Sequence, residues 1–294
     1  MTNQKKSIIY ALSAVFIWAT VATAFKIALQ YVNFLQLLFY ATAVSVIVFF
    51  LISIFQKNTA EFFKISRKNL SLSAINGFLN PFLYYVVLLK AYSMLPAQIA
   101  QPLNYLWPVM LVLLSVPLLG QKLEFKTLIS ITLGFVGVYI ISTRGDILGF
   151  KIEKPFGVFL AAGSSVIWAL SWILNQKNKS KEIVKLFWNF FFGFIYIFIT
   201  VLIFSEIKIP PINGILAVIY IGLFEMGITF FLWMKALQLT TSNDKISNLV
   251  FLSPFLALIF ISLILKETIF YTTIIGLIFI IVGIFFQQIK KKNT

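Results

Sequence analysis

Long, nearly unbroken runs of apolar residues alternate along the chain with short polar connections. A helix needs about 20 apolar residues to cross the hydrocarbon core of a bilayer. A transmembrane barrel would instead show alternating strands of about ten residues. The pattern therefore predicts an all-α polytopic membrane protein with ten transmembrane helices, at 7–29, 34–55, 70–91, 96–118, 126–143, 156–175, 184–204, 214–236, 246–265 and 270–288.

The composition excludes a soluble fold and most kinds of enzyme. Of the 294 residues, 60% are hydrophobic and only 11% are charged, which is too little charge to cover the surface of a soluble domain. The chain contains no Cys and no His, so disulfides, cysteine metal sites and histidine-based catalysis are excluded. It also lacks the G-x-x-x-x-G-K-[ST] loop of ATP-hydrolysing proteins. We therefore expect no enzymatic activity and no cofactor.

The net charge of +15 is explained by membrane topology. With the N-terminus placed inside, 17 of the 24 Lys and Arg residues fall in inner connections and 7 in outer ones, as the positive-inside rule requires. The lysine clusters would face an anionic inner leaflet, so no nucleic-acid partner is expected. We predict a multi-pass protein of a bacterial inner membrane, with both termini cytoplasmic and the lipid bilayer as its surroundings.

Several short strings recur in order at a nearly constant offset. Ile17-Trp18-Ala19 in helix 1 recurs as Ile167-Trp168-Ala169 in helix 6, and Pro108 in helix 4 recurs as Pro254 in helix 9. This indicates a duplicated five-helix unit. Because five is odd, the second copy enters the membrane from the opposite side, which is an architecture of secondary transporters. The sequence thus predicts two inverted five-helix repeats, at 1–149 and 150–294.

These features resemble the drug/metabolite transporter superfamily and, within it, the EamA-domain group. Helix 4 carries Asn104-Tyr105-Leu106-Trp107-Pro108, which is similar to a string found in the aromatic amino acid exporters of that group. The resemblance implies an electrochemically driven exporter with a cavity between its halves, and it places helices 5 and 10 at an edge that either faces the partner in a homodimer or acts as a scaffold. The acidic turn residue of the family is present as Glu267 but is replaced by Gln121 in the first half.

Glu225 is the strongest candidate for transport chemistry, because it is the one acidic residue deep in a predicted span. A charge there is costly, so an intramembrane carboxylate is by default a functional candidate. It could carry a coupled proton or meet the ammonium group of a substrate, or it could be a structural residue. Asn80 occupies the corresponding position of helix 3 and precedes Pro81, which we expect to kink the helix. Tyr84 lies one turn further along the same face.

Aromatic and amide side chains supply the remaining candidates. Trp18 and Trp168 are matched between the halves and lie far from the helix ends, where interfacial tryptophans would lie; they either pack between helices or line a cavity. Helix 4 should bend at its two prolines, and helix 9 is its counterpart. We predict hinges at Pro81, Pro108 and Pro254, and a substrate cavity lined by Trp18, Asn80, Tyr84, Asn104, Tyr105, Trp107, Trp168, Trp172, Glu225, Asn248 and Ser253.

The leading interpretation is a secondary transporter that exports amino acids or similar small metabolites by alternating access. Its expected substrate is a neutral or aromatic amino acid, because an aromatic wall suits an aromatic side chain. One alternative is a related transporter of another solute class, such as drug cations, nucleotide sugars or lipids. Another is a membrane receptor or assembly factor that transports nothing. The sequence also leaves open whether Glu225 couples transport to protons or the substrate moves down its own gradient.

Overall fold

The structure, a computed structural model, describes residues 2–56, 59–120, 125–144, 152–240, 246 and 248–288. Gln121, where the sequence departs from the acidic turn residue, lies outside them. Within these ranges all regular structure is helical. The helices are α1 (Asn3–Ala28), α2 (Phe34–Phe55), α3 (Thr59–Phe63), α4 (Arg67–Met94), α5 (Ala97–Leu119), α6 (Phe125–Ser142), α7 (Pro155–Asn175), α8 (Glu182–Phe204), α9 (Ile212–Leu239), α10 (Leu249–Leu265) and α11 (Tyr271–Gln288).

The predicted all-helical membrane architecture is confirmed. Seven helices are long and apolar enough to cross a membrane by length and composition: α1, α2, α4, α5, α7, α8 and α9. Three shorter apolar helices lie at the other predicted positions, at Leu128–Ser142, Leu249–Leu265 and Tyr271–Phe286. Several helices extend beyond the predicted apolar runs. For example, α4 begins at Arg67, because the Ser66 side chain caps its first turn by accepting from the Asn69 N–H.

Three of the long helices depart from α-helical geometry near their middle. In α4, Phe78–Leu83 form a π-helical turn in which Asn80 has φ −148° and ψ 117°, and the Asn80–Pro81 peptide bond is cis. In α9, a second π-helical turn covers Ile221–Ile228. In α5, the α-helix ends at Asn104 and resumes at Trp107. The bends expected at Pro81 and Pro108 are therefore present, while their role as hinges stays a prediction.

Pro254 has a different setting from Pro81 and the same setting as Pro108, which lies in the first turn of the α-helix Trp107–Leu119. A 3₁₀ turn at Leu249–Leu252 opens α10, and Pro254 lies in the first turn of the α-helix Ser253–Leu265. A proline there has no intrahelical hydrogen bond to lose. Pro254 therefore stands at a junction between two helix types, whereas Pro81 lies inside a helix.

Hydrogen bonds between distant helices show which of their ends lie together. The Ser7 hydroxyl, near the start of α1, donates to the Ala236 carbonyl at the end of α9 (2.7 Å). The Asn178 amide, after α7, donates to the Ser73 hydroxyl near the start of α4 (3.0 Å). We call this end of the bundle the N-terminal face. The other end, which holds the end of α1 and the start of α5, is the opposite face.

The opposite face is joined by polar contacts. The Lys26 ammonium donates to the carbonyls of Tyr92 (3.0 Å) and Leu95 (3.1 Å) at the end of α4. The Glu267 carboxylate accepts from the backbone N–H groups of Ala97 (3.0 Å) and Gln98 (3.2 Å) at the start of α5. Both contacts satisfy backbone groups that a helix end leaves free. Together they hold α1, α4, α5 and the segment after α10 against one another.

Candidate functional site

A central cavity of about 410 Å³ lies among α1, α4, α5, α7, α8, α9 and α10. Val250 is the residue of α10 that lines it; Asn248 and Ser253 do not. The expectation that these two residues line the cavity is therefore not met; a 3₁₀ turn, and not the regular α-helix that was expected, lies between them. The other nine of the eleven predicted residues line this cavity, while their contact with a substrate stays a prediction: Trp18, Asn80, Tyr84, Asn104, Tyr105, Trp107, Trp168, Trp172 and Glu225.

The cavity opens at the N-terminal face. Its lining includes Glu182 in the first turn of α8 and Gln238 in the last turn of α9, and both side chains are exposed. Toward the opposite face, the lining residues Phe25 and Tyr92 are only 1% and 3% exposed. Tyr92 belongs to the segment whose carbonyls bind Lys26. The contacts at the opposite face therefore close the end of the cavity that lies farthest from its opening.

Glu225 lies in the π-helical turn of α9 and is 8% exposed. Its Oε1 accepts a hydrogen bond from the Tyr85 hydroxyl (3.0 Å), whereas the buried Oε2 has no partner among the described residues. The Thr229 hydroxyl donates to the Phe224 carbonyl, which satisfies one backbone group within this turn. A carboxylate with one free, buried oxygen beside a cavity can bind a proton or accept a hydrogen bond from a bound ligand.

Asn80 lies in the other π-helical turn, and its buried Oδ1 also has no partner among the described residues. One turn further along α4, the Tyr84 hydroxyl donates to Asn104 Oδ1 (3.2 Å). The Asn104 amide in turn donates to the Ser164 hydroxyl of α7 (2.8 Å). This chain joins α4, α5 and α7 at the bend of α5 and leaves Asn80 free to face a ligand.

Aromatic rings form one wall of the cavity. Trp168 packs against Tyr84 and Phe230, with ring centroids 4.7 and 6.0 Å apart. Trp18 packs against Phe230 and Trp233, at 6.4 and 5.3 Å. The matched tryptophans thus share Phe230 as a neighbour and also line the cavity. Phe230 and Trp233 were not predicted; their spacing from Glu225, within about two helical turns, was the available signal.

A cluster of amides, also not predicted, lines the cavity nearer its opening. Asn175 Oδ1 accepts from the amides of Asn76 (3.3 Å) and Asn189 (3.2 Å), which join α4, α7 and α8. A fourth amide, Gln101, lies apart from this cluster, near the start of α5 and toward the opposite face; its buried Oε1 has no partner in the described part of the chain. Buried polar groups are usually paired. Amides within otherwise apolar runs were the signal that could have identified this cluster.

Comparisons with known proteins agree with this architecture. The model of the EamA-like transporter family matches the chain twice, at residues 5–143 and 155–287. An uncharacterized transporter of Clostridium kluyveri is 29% identical over 60% of this chain and 59% of its own length. The aromatic amino acid exporter YddG of Ancylobacter novellus is 26% identical over 54% of this chain and 56% of its own length. The chain thus spans less than two thirds of either relative.

A solved crystal structure matches the fold. It superposes with a TM-score of 0.67, covers 97% of this chain and 96% of the solved chain, and is 20% identical in sequence. At this level of identity, the likeness concerns the arrangement of the helices alone.

Proposed function

Because this chain belongs to the EamA-like transporter family, we propose that it is a secondary transporter that carries a small organic molecule through its central cavity by alternating access. The observation that carries the proposal is the cavity itself. It reaches Glu225 and Asn80, within the interrupted parts of α9 and α4, and opens at the N-terminal face. Interrupted helices around a midplane site are a recurrent feature of secondary transporters.

The proposed substrates are neutral or aromatic amino acids. The aromatic wall around Trp168 and Trp18 suits a planar apolar side chain, and the free oxygen of Glu225 suits an ammonium group. The relative named as an aromatic amino acid exporter supports the same class. The contacts of Glu225 fit both a bound ammonium group and a carried proton, so its coupling role stays a prediction.

We further propose that the protein crosses the membrane ten times as two inverted repeats, within 1–149 and 150–294. The two matches of the family model, one in each half, support this proposal. So do the corresponding π-helical turns of α4 and α9, which begin at Phe78 and Ile221. Two pseudo-equivalent halves have two arrangements of similar energy, related by a pseudo-two-fold axis in the membrane plane, and exchange between these would open the cavity to each side in turn. The homodimer along α6 and α11 stays a prediction.

The predicted orientation places the cavity opening on the cytoplasmic side of a bacterial inner membrane. Because the chain has no Cys, a maleimide can label only the cysteine that is introduced, and its labelling shows from which side of the membrane that position is accessible. Gln238→Cys, at the opening, should react with a membrane-impermeant maleimide in inside-out vesicles but not in intact cells. Ile209→Cys is the control, since this residue is 89% exposed at the opposite face and should react only in intact cells. The reverse pattern for both variants would contradict the orientation.

Counterflow in proteoliposomes tests the proposed function. Vesicles loaded with unlabelled Phe, Trp, Met, Leu or Thr should transiently accumulate the labelled amino acid that the protein carries, with no imposed gradient. We expect exchange of at least one aromatic or large neutral amino acid. Empty vesicles supply the background. Absence of exchange for every amino acid, with protein that is folded and monodisperse, would contradict amino acid transport.

A further inference from the structure

Several hydrogen-bond acceptors in the cavity have no donor among the described residues. Buried oxygens without a partner among the described residues belong to five of its lining side chains: Glu225, Asn80, Gln101, Asn76 and Asn189. An amide can be turned so that its nitrogen takes the place of its oxygen, but the Glu225 carboxylate can only accept when it is ionised. A ligand with N–H donors can therefore hydrogen-bond to these oxygens, whereas a hydrocarbon cannot.

The charge of the cavity points the same way. Its described lining contains two carboxylates, Glu225 and Glu182, and no Lys or Arg. Lys185 pairs with Glu182 (2.5 Å) at the opening. Lys26, at the closed end, donates to two backbone carbonyls. A substrate ammonium group thus finds a buried carboxylate, whereas a substrate carboxylate finds no cationic side chain in the described lining.

The aromatic wall adds a second preference for positive charge. Trp168, Tyr84 and Phe230 pack together beside the cavity that Glu225 also lines. Faces of aromatic rings attract cations, most strongly when water is excluded. The same rings accept the apolar body of an aromatic ligand. Carboxylate, amide oxygens and rings therefore select for one kind of molecule, which joins a protonated amine to an aromatic group.

We propose that the site recognises aromatic primary amines through their ammonium group and does not require the α-carboxylate of an amino acid. This inference rests on the proposed function, since it names the substrate class of the same cavity. In the bound state, the ammonium group donates to Glu225 Oε2 and to nearby amide oxygens, while the ring lies against Trp168 and Phe230. Removing the carboxylate from phenylalanine removes a negative charge that has no cationic partner in the described lining. The amine is thus expected to bind better than the amino acid.

A series of four ligands that share one phenyl ring tests this inference. Binding to the purified full-length protein is measured by isothermal titration calorimetry for 2-phenylethylamine, L-phenylalanine, 3-phenylpropan-1-ol and 3-phenylpropanoate. We expect 2-phenylethylamine to bind most tightly. We expect the propanoate to bind at least about tenfold more weakly than the amine, the size of effect that a charge-assisted hydrogen bond supplies.

Two variants separate a direct contact from a general change in the cavity. Glu225→Gln should lower the affinity for 2-phenylethylamine by at least about tenfold but change the affinity for the neutral alcohol by less than about twofold. Retained binding of the alcohol also shows that the variant is folded. Glu206→Gln is the control, because Glu206 is exposed beyond the end of α8, pairs with Lys208 and is not part of the cavity lining; it should leave both affinities within about twofold. If Glu225→Gln does not fold, the ligand series of the unsubstituted protein decides alone.

The possible failures are distinguishable. If L-phenylalanine binds more tightly than 2-phenylethylamine, the inference is overturned while amino acid transport stands. The inference is also overturned if Glu225→Gln lowers the affinity for the alcohol as much as the affinity for the amine, because the carboxylate would then act only through the shape of the cavity. If none of the four ligands binds to folded protein and counterflow is also absent, the proposed substrate class fails, and this inference fails with it.

Discussion

Replacing Gly193 with alanine is expected to destabilise the protein and to abolish transport. Gly193 lies where α8 crosses α4, and a Cβ atom there would lie 2.5 Å from the Pro81 ring. A Cβ at Gly77, on the facing helix, would lie 2.4 Å from the Asn189 carbonyl oxygen. Neither a proline ring nor a backbone carbonyl can rotate away, so the helices must separate. Overpacking of this kind typically costs about 1–3 kcal/mol.

Loss of transport should accompany the loss of stability, because α4 and α8 cross beside the cavity. Pro81 belongs to the π-helical turn that presents Asn80 to the cavity. Asn189, four residues before Gly193, lines the same cavity. Separation of α4 and α8 would therefore displace both polar side chains from the site. Thermal unfolding in detergent and counterflow in proteoliposomes measure the two effects independently.

Gly163→Ala is the matched control for this prediction. Gly163 lies in α7, and apart from the neighbouring backbone of its own helix no atom lies within 4 Å of the position that its Cβ would take. Alanine is the better helix former by roughly 0.5–1 kcal/mol in water, so this variant should be as stable as the unsubstituted protein or slightly more stable. If Gly193→Ala unfolds at the same temperature as Gly163→Ala, the close crossing of α4 and α8 is not required for stability.

The helices could be predicted from the sequence because the bilayer imposes a simple rule. Backbone groups in hydrocarbon must be satisfied internally, so an apolar run of sufficient length becomes a helix whatever its Phe and Ile content. Pro81 likewise marked the break in α4, because proline lacks the N–H that a helix needs. The π-helical turn of α9 contains no proline within Ile221–Ile228. It could be inferred only indirectly, from the internal repeat.

The lining of the cavity was less predictable, because it depends on helix rotation and on contacts between distant segments. Asn248 was placed by extending a regular helix through 246–265, but a 3₁₀ turn covers Leu249–Leu252, and Val250 is the residue of this segment that lines the cavity. Tyr84 was selected because it shares a helical face with Asn80. Its neighbour Tyr85 makes the hydrogen bond to Glu225. Among 33 Phe residues, only the packing shows that Phe230 stands between Trp18 and Trp168.

Trp168→Ala is expected to cause the largest loss of affinity for an aromatic substrate. Its indole lines the cavity and contacts both Tyr84 and Phe230, from α4 and α9. Truncation removes a large apolar surface and one face against which an aromatic ligand can pack. Large aromatic anchors in desolvated pockets commonly contribute about 2 kcal/mol or more to binding. The dissociation constant should therefore rise by roughly 10- to 100-fold, as measured by calorimetry with the best ligand of the series above.

Trp188→Ala is the control that separates binding from folding. Trp188 packs among Phe187, Phe191 and Phe192 of α8, and it is not part of the cavity lining. Both variants lose an indole that is partly buried, so their losses of thermal stability should be comparable. Only Trp168→Ala should also lose affinity, and Trp168→Phe should recover much of it, because a smaller ring still offers an aromatic face. Equal affinities in the two alanine variants would mean that the ligand does not pack against the aromatic wall, and the free oxygen of Glu225 would then have to select the substrate without it.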